Sequence, residues 1–328
     1  MKANDEPGGQ KTMTNHTAGE NSMLRLILAL VMLVLALPIV GSGESPPAMP
    51  QKAVLVTGAS TGIGRKTTER LAADGYFVYA GARKDADLEA LNKIKNVQAV
   101  RLDVTKQEDI DAAVATIKNA GRGLYALINN AGVATIGSVL ESPQSEFDLT
   151  MDVNVVGPWR VTKAFLPLIM AEKGRIAMTS SVSGILAGAN TSTYVMSKHA
   201  IEGFTDSLAA ELALAGVYVS AIEPGNYRTE IARTTAKRLG GKFAERANDA
   251  DKLEEPDDVA AAFAAALSEP KPKRRYLVTP NEDQARRTIK KQIAQLVELN
   301  EGHAYTYDRE TLIKMLDEAL AGSRPRTK

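Results

Sequence analysis

Between residues 53 and 222, short apolar runs alternate with longer stretches in which apolar residues recur every three or four positions. The runs are rich in Val, Ile and Leu and predict strands at 53–57, 77–80, 97–102, 124–128, 175–179 and 217–222. The stretches between them predict helices at 62–74, 85–95, 107–120, 144–171 and 192–215. Strands that are buried on both faces and joined by helices form a parallel sheet covered on both sides. The pattern therefore predicts a doubly wound α/β fold.

The amino-terminal residues follow a different pattern. Residues 1–22 are polar, mixed in charge and without periodicity, which predicts a disordered leader. Residues 26–40 are apolar throughout, with Pro38 inside, and a Pro/Gly/Ser-rich linker follows at 41–50. A helix over residues 26–40 would be about 22 Å long, short of the ~30 Å hydrocarbon core of a bilayer.

Two interpretations of this apolar segment stay open. If translation starts at Met1, residues 24–40 form a membrane anchor. If translation starts at Met23, Arg25 begins a signal peptide whose cleavage region is 40–43. A buried core helix is the weakest reading, because nothing foldable precedes the segment. We therefore expect a membrane-associated or exported protein, with the side of the membrane left open.

The amino-acid composition mainly excludes classes of partner and of chemistry. The chain carries 40 Lys+Arg and 39 Asp+Glu in 328 residues, so a net charge of +1 gives no general reason to expect nucleic acid. The absence of Cys removes disulfides, thiolate metal sites and thiol nucleophiles. His16, His199 and His303 are too far apart for a local ligand motif, so no metal is expected. The remaining candidates for chemistry are Ser, Thr, Tyr, Lys, Asn and carboxylates.

A glycine-rich turn joins the first predicted strand to the first predicted helix and reads TGASTGIG at 57–64. Gly58 permits the tight turn, Gly62 lets the backbone approach a pyrophosphate, and Gly64 lets helix and strand pack closely. The amides of the turn and the positive helix end then face an anion. The turn predicts a dinucleotide-binding loop, in which Ser60, Thr61 and Ile63 are further candidates.

The end of the second predicted strand bears on the choice of cofactor. An NAD site usually places a carboxylate about 20 residues beyond the glycine loop, whereas residues 80–84 here read AGARK. A carboxylate would repel a 2′-phosphate, but Arg83 can form a forked pair with it. We expect NADP(H) to be preferred over NAD(H). The alternative is that Arg83 is a solvated loop charge.

Tyr194 and Lys198 are four residues apart on a predicted helix and so share one face. A free tyrosine has a pKa of about 10 and is a poor base at neutral pH. Lowering that pKa to ~7 requires about 4 kcal/mol, which Lys198 and a cationic nicotinamide ring together can supply. Ser181 follows the predicted strand at 175–179, where its hydroxyl can donate to a substrate oxygen.

Together these motifs resemble the short-chain dehydrogenase/reductase family over about residues 52–280. The resemblance rests on the glycine loop, NNAG at 129–132, Asn154, Ser181, Tyr194, Lys198 and PG-x-x-x-T at 224–229. It implies one Rossmann-type domain at 51–280, after a leader at 1–50 and before a helical extension at 281–328. The spacing of the glycines matches the compact oxidoreductase branch.

The resemblance also implies roles. Tyr194 would be the general acid/base, Lys198 would lower its pKa and hold the nicotinamide ribose, and Ser181 would polarise the carbonyl. Asn154 would position a proton-relay water. The other implied cofactor-binding residues are Asp103 at the adenine, Val104, Asn130, Ala131, Gly132, Pro224, Gly225 and Thr229 at the carboxamide. Read without the family, Asp103 could be a helix-cap neighbour and 129–132 a plain turn.

The implied function is hydride transfer between NADP(H) and an alcohol or ketone. Residues 194–208 and 222–225 are similar to retinol and hydroxysteroid dehydrogenases, which favours a lipophilic substrate. Residues 228–247 would form a substrate lid, and their charges suggest that much of it faces water. A non-catalytic cofactor-binding sensor or scaffold is the alternative, and a homo-oligomer is left open.

The chain continues for about fifty residues after 278. Apolar residues Ile289, Ile293, Leu296 and Val297 fall on one face of a predicted helix at 282–299, opposite the basic residues Arg286, Arg287, Lys290 and Lys291. The favoured interpretation packs the apolar face on the core and leaves the basic face in solvent. The alternative is a helix lying on a membrane surface. A second helix is predicted at 308–321.

Overall fold

The computed structural model describes residues 51–240 and 250–323, so the leader, apolar segment and linker expected at 1–50 lie outside the described residues. The described strands form one parallel sheet in the order β3-β2-β1-β4-β5-β6-β7. They are β1 Ala53–Val56, β2 Phe77–Ala82, β3 Val97–Arg101, β4 Ala126–Asn129, β5 Arg175–Thr179, β6 Tyr218–Pro224 and β7 Arg275–Val278. The predicted doubly wound fold is confirmed.

Helices connect the strands and cover both faces of the sheet. They are α1 Gly62–Ala73, α2 Asp85–Asn92, α3 Gln107–Asn119, α4 Gln144–Met151, α5 Gly157–Ala171, α6 Ser192–Leu212, α7 Ile231–Leu239, α8 Asp257–Ser268, α9 Glu282–Asn300 and α10 Arg309–Ser323. The predicted helix at 144–171 is divided by a π-helical turn at Asp152–Val156. Strand β7 and helices α7 and α8 were not predicted from the sequence.

Strand order reverses next to β1, which pairs with β2 on one side and with β4 on the other. Val54 lies opposite Val78 and Ala126 in the two ladders. Ligands of open parallel sheets bind beyond the carboxyl ends of the strands at such a reversal. The glycine loop follows β1 and the NNAG segment follows β4, so both lie at this point.

The two layers of core lie on opposite faces of the sheet because successive strand side chains point to opposite sides. In β4, Leu127 packs with Phe165 of α5, while Ile128 packs with Leu71 of α1 and Phe263 of α8. All five side chains are fully buried. Each such side chain stabilises the fold by about 1.5–3 kcal/mol relative to exposure. The sheet is thereby held rigidly beneath the loops at its carboxyl edge.

Helix α9 is attached to the body by its polar side. The Gln284 Oε1 accepts a hydrogen bond from the Asn226 amide at 2.9 Å, and Thr288 is fully buried. The apolar residues lie roughly on the opposite side, and Ile289, Ile293, Leu296 and Val297 are 47–55% exposed. The expectation that this apolar face packs on the core was therefore wrong. None of the described helices has the length and apolar character of a membrane span.

Candidate active site

The glycine loop wraps tightly between β1 and α1. Gly58 has φ +65°, and a Cβ there would lie 2.8 Å from the Ala131 Cα. Gly62 has φ +53°, also in the left-handed region that favours glycine. A Cβ at Gly64 would overlap the carbonyl oxygen of Gly58 and the Nδ2 of Asn130. The loop therefore excludes larger residues, as the sequence interpretation requires.

The start of α1 offers hydrogen-bond donors to a ligand. Thr61 is the N-cap residue, but its side chain makes no capping bond, and the first turn contains no acidic residue. Thr61 is exposed, while Ser60 and Ile63 are partly buried. Free amides and the positive helix end suit a phosphate group. The geometry of the loop thus fits the pyrophosphate of a dinucleotide.

Thr57 ties the loop after β4 to the glycine loop. Its buried hydroxyl accepts hydrogen bonds from the backbone amides of Asn130 and Ala131 at 2.9 and 3.0 Å. In return, the Asn130 Nδ2 donates to the carbonyls of Thr57 and Gly58 at 3.0 and 3.1 Å. This linking role of Thr57 was not predicted from the sequence. Asn130 lies within the cleft, but its side chain serves to join the two loops.

Arg83 and Asp103 face each other beyond β2 and β3. Arg83 is exposed, and its Nη1 is 3.7 Å from the Asp103 Oδ2. The Asp103 Oδ1 accepts bonds from the amide and the hydroxyl of Thr105, at 3.0 and 2.7 Å. Burial raises the pKa of Asp103, but the Thr105 bonds and Arg83 outweigh it and hold the pKa below its usual value. Asp103 is therefore a carboxylate at neutral pH, and Arg83 can reach outward.

Ser181, Tyr194 and Lys198 converge at the carboxyl end of β5. The Ser181 side chain is close enough to the Tyr194 hydroxyl to lower its pKa. Lys198 is buried, and its Nζ donates to the carbonyl of Thr179 at 2.8 Å and lies 5.6 Å from the Tyr194 ring centroid. Helix α6 places Tyr194 and Lys198 on one face, while the 3₁₀ turn after β5 begins at Ser181. Thr179, whose carbonyl orients the lysine, was not identified from the sequence.

Burial changes the proton affinities of this pair. Burial lowers the pKa of Lys198 to about 8, and the nearby Glu202 carboxylate counteracts part of that effect. Burial raises the pKa of Tyr194, while the bond with Ser181 lowers it. The chain's own groups thus do not produce the low tyrosine pKa expected from the sequence.

Asn154 is buried in the π-helical turn and uses all of its amide hydrogens. Its Nδ2 donates to the carbonyl of Val133 at 2.8 Å and to the Ser197 Oγ at 3.0 Å, and its Oδ1 accepts from the Val133 amide at 2.8 Å. The Ser197 hydroxyl donates to the carbonyl of Tyr194 at 2.7 Å. Asn154 therefore braces α6 against the loop after β4. Ser197 lies between Tyr194 and Lys198 and was missed in the sequence.

Three further predicted residues occupy different surroundings. A Cβ at Gly132 would lie 3.4 Å from the Asn154 Oδ1 and 4.0 Å from the Lys198 Nζ, so the bare backbone borders both side chains. Ala131 lies against Gly58, as described above. The Val104 side chain is buried in the core and packs on Gly157. A contact of Val104 with a cofactor would therefore involve its backbone.

The segment after β6 spans the cleft. The Ser181 Oγ donates to the carbonyl of Pro224 at 3.5 Å, and a Cβ at Gly225 would overlap the Gln284 Oε1. Thr229 lies beside the glycine loop, 3.3 Å from where a Cβ of Gly62 would be. The predicted cofactor residues at 224–229 thus run from the Ser181 side of the cleft to the phosphate side.

Helix α7 is held above this edge by a buried ion pair. The Arg238 Nε lies 2.8 Å from each carboxylate oxygen of Glu146, and the Arg238 Nη2 donates to the carbonyl of Ala134. The hydroxyl of Thr235 donates to the same carbonyl at 3.1 Å. Arg238 is therefore largely shielded from water, although the charges of the lid led us to expect that much of it faces water. Residues 241–249 of the predicted lid lie outside the described residues.

A cavity of 260 Å³ is lined by part of the segment that follows Ser181 and precedes Tyr194. The chain between those two residues forms one wall, with Val182, Leu186 and Thr191 among its members. Asn226 contributes from the segment after β6. Gln284, Arg287 and Thr288 of α9 form the facing wall. The C-terminal extension, to which the sequence assigned no role here, thus borders the candidate substrate site.

Comparison with known proteins decides the family. The profile described as short chain dehydrogenase matches residues 52–240, more than half of the chain. The chain belongs to the short-chain dehydrogenase/reductase family. The resemblance seen in the sequence is confirmed, and the glycine loop, NNAG segment, Ser181 and Tyr194/Lys198 all fall within the matched residues.

Several curated proteins are similar in sequence to this short-chain dehydrogenase/reductase. Bovine mitochondrial D-beta-hydroxybutyrate dehydrogenase is 37% identical over 186 residues, and the match spans 54% of each protein. The chain thus matches about half the length of that relative. An uncharacterised Escherichia coli oxidoreductase, YbbO, is 34% identical over 70% of this chain and 86% of its own length.

Solved structures show the same fold. A short-chain dehydrogenase from Streptomyces avermitilis is 27% identical and superposes with a TM-score of 0.63, covering 85% of this chain and all of that one. An actinorhodin polyketide ketoreductase variant solved with NADPH is 28% identical and also has a TM-score of 0.63, covering 70% of this chain and 95% of that one.

Proposed function

We propose that the protein is an NADP(H)-dependent oxidoreductase that interconverts an alcohol and a ketone. The observation that carries this proposal is the convergence of Ser181, Tyr194 and the buried Lys198 at the carboxyl end of β5, in a member of an oxidoreductase family. The cavity of 260 Å³, lined by part of the segment between Ser181 and Tyr194, supplies space for a substrate. A sensor or scaffold would need the glycine loop but not these three side chains.

The two hydroxyls divide the work on the substrate oxygen. In the reductive direction, Ser181 donates a hydrogen bond to the carbonyl oxygen and Tyr194 transfers its proton to it; oxidation reverses the transfer. Because burial raises the pKa of Tyr194, the phenol is the form ready to give a proton. A bound nicotinamide supplies or accepts the hydride.

Lys198 and Asn154 support that transfer. Lys198 uses one of its donors on the Thr179 carbonyl, which leaves others for a ribose hydroxyl. Its positive charge favours the phenolate that remains after the proton leaves. We assign to Asn154 the placement of a relay water. Since both of its amide hydrogens are used, the water would meet its Oδ1 or the backbone of the π-helical turn.

Substitution of Tyr194→Phe tests the catalytic assignment against the sensor alternative. The ring keeps its packing but loses the proton, so turnover should fall by about 10²–10⁴-fold while NADPH affinity stays within about twofold. The readout is cofactor absorbance over a panel of alcohols and ketones, with calorimetry for binding. Unchanged physiological activity in this variant would favour the sensor.

Cofactor preference rests on Arg83. It follows β2 directly, is exposed and lies 3.7 Å from the Asp103 carboxylate, so its guanidinium is available to a 2′-phosphate. We expect kcat/KM to be higher with NADPH than with NADH, and Arg83→Gln to reduce that ratio by about tenfold or more. A clear preference of the native chain for NADH would overturn the assignment.

Substrate class is proposed as lipophilic. Val182, Leu186 and Ala187 give the cavity an apolar wall, and the segment around Tyr194 is similar to retinol and hydroxysteroid dehydrogenases. Among the relatives, the bovine protein is named for D-beta-hydroxybutyrate, a hydroxy acid. A panel of steroids, retinal and aliphatic ketones of increasing length tests the class. Turnover of small polar carbonyls alone would count against it.

We also propose that residues 24–40 direct the protein to a membrane, as an anchor or as a cleaved signal. The support is the apolar run with Arg25 before it and the linker at 41–50 after it. Amino-terminal sequencing of the mature protein distinguishes the two alternatives, and protease protection in intact vesicles assigns the side.

A further inference from the structure

We propose that Arg287 is an anion-binding subsite of the substrate cavity. The alcohol or ketone would then carry a carboxylate at the end remote from the reacting carbon. This inference rests on the proposed function, because it names the substrate class of the same site. It also gives the C-terminal extension a part in substrate selection.

The cavity connects the two ends of such a substrate. One wall is part of the segment between Ser181 and Tyr194, the residues whose hydroxyls act on the substrate oxygen in the proposed function. The facing wall is the side of α9 that contains Gln284, Arg287 and Thr288. A ligand that fills the cavity therefore has α9 on the side away from the chemistry.

Helix α9 is fixed in rotation, so the place of Arg287 is defined. The Asn281 side chain caps the helix by accepting from the Gln284 amide at 3.0 Å. Gln284 in turn accepts from the Asn226 amide at 2.9 Å, and the absence of a side chain at Gly225 makes room for the Gln284 Oε1. Thr288 is fully buried one turn later. Arg287, between these two contacts, is held at the cavity.

The guanidinium of Arg287 retains free donors. Its Nε is 3.0 Å from the Asp283 Oδ2, and within the described part of the chain no other partner of Arg287 occurs. The side chain is 63% exposed. The two terminal nitrogens can therefore bind a carboxylate in the forked geometry that arginine favours. Among the described residues that line the cavity, Arg287 is the charged one, and the Asp283 carboxylate that it pairs with is not among them.

The other residues that line the cavity indicate which chemical groups the middle of the ligand contains. Val182, Leu186 and Ala187 are apolar and lie on the catalytic side, which suits a short hydrocarbon segment. The volume of 260 Å³ is slightly below the ~300–1,000 Å³ typical of sites for drug-sized ligands. The cavity therefore fits an aliphatic hydroxy or oxo acid, whose hydrocarbon segment meets the apolar wall and keeps it within the lipophilic class proposed above.

The test compares an acid with its neutral ester in the full chain, using 3-oxohexanoate and methyl 3-oxohexanoate with NADPH. Arg287→Gln should raise KM for the acid about 10–100-fold, the loss expected for a charge-assisted pair, and change KM for the ester less than about twofold. The matched control is Arg286→Gln. Arg286 is on the same helix and contacts Glu282, at 3.8 Å, rather than the cavity. Arg286→Gln should change neither the KM for the acid nor the KM for the ester.

Equal KM values for acid and ester in the native chain, or equal shifts in the two variants, would overturn the inference. Calorimetric binding of hexanoate to the NADP⁺-loaded protein keeps the test independent of turnover. Hexanoate binding that is lost in Arg287→Gln and kept in Arg286→Gln supports the subsite. If no ketone is reduced in that case, the proposed function is wrong but the anion-binding subsite stands. Absence of hexanoate binding to the native chain would end the inference, and turnover of the neutral ester would then leave the proposed function standing.

Discussion

Arg275, the first residue of β7, forms an ion pair with Glu202 of α6, and the Nε–Oε2 distance is 2.9 Å. Glu202 lies one helical turn after Lys198, so the pair joins the last strand of the sheet to the helix that carries the candidate catalytic residues. The same guanidinium meets Asp206 at 2.7 Å and lies 3.4 Å from the buried Glu223. Three carboxylates thus surround one arginine.

Removal of this arginine should destabilise the fold. Arg275→Leu would leave Glu202 and Glu223 buried without their cation, and breaking a fully buried pair costs about 3–5 kcal/mol. Because the Arg275 side chain is 39% exposed, we expect a smaller loss of about 2 kcal/mol in the free energy of unfolding, measured by urea denaturation. Arg274→Leu is the control. Arg274 approaches only the exposed Asp206, at 3.7 Å, and its loss should change stability by less than about 0.5 kcal/mol.

Glu223 should make stability depend on pH. Burial, aided by the charges of Glu202 and Asp206 and opposed by Arg275, raises the pKa of Glu223 from 4.5 to about 7. Between those values the folded chain binds more protons than the unfolded chain, so stability falls as pH rises through this window. The loss amounts to about 3 kcal/mol at most. Urea denaturation from pH 4.5 to pH 7.5 should show this slope in the native chain and a weaker one in Glu223→Gln; equal slopes would contradict the assignment.

Gly64 should tolerate no side chain. In Gly64→Ala the new methyl group would overlap the Gly58 carbonyl oxygen and the Asn130 Nδ2, so the loop must shift. We expect NADPH affinity, measured by calorimetry, to fall by about tenfold or more. Gly203→Ala is the control, because a Cβ at Gly203 in α6 meets nothing within 4 Å. That change should stabilise the helix by about 0.5–1 kcal/mol and leave affinity unchanged.

The Arg238–Glu146 pair should hold α7 in place. Its two contacts of 2.8 Å are largely shielded from solvent, so the single variants Arg238→Gln and Glu146→Gln should each destabilise the fold by about 1–3 kcal/mol. A double-mutant cycle should give a coupling energy of about 1–3 kcal/mol. Arg233→Gln, on the same helix but bonded to the exposed Glu230 and Asp251, should show little effect. Additive single effects would mean that the two side chains act separately.

Local sequence signals were sufficient for much of the fold. The strand at Arg175–Thr179 was predicted residue for residue, and the other predicted strands differ only at their ends, because a strand buried on both faces needs a continuous apolar run. The glycine loop was also readable, since positive φ at Gly58 and the close approach at Gly64 require that residue type. Strand β7 was not assigned, because the charged stretch 271–275 precedes and overlaps its four residues.

The candidate site could be predicted only in part from the sequence. Tyr194 and Lys198 share a helix face through spacing alone. The approach of Ser181 to Tyr194 and the hydrogen bond from Asn154 to Ser197 join separate elements and depend on how those elements pack. The burial that raises the pKa of Tyr194 was likewise not visible in the sequence, while the lowered pKa expected with a bound cationic nicotinamide stays a prediction.

By itself, the sequence determined the doubly wound sheet, the glycine loop and the family, because these depend on local periodicity, on backbone conformations open only to glycine and on residue types at set spacings. Tertiary structure alone decided the rotation of α9, the gathering of Glu202, Glu223 and Arg275, and the approach of Arg287 to the cavity. An amphipathic pattern states which residues share a face but not what that face meets. In α9 the hydrogen bond from Asn226 to Gln284 sets the rotation and turns the apolar face outward.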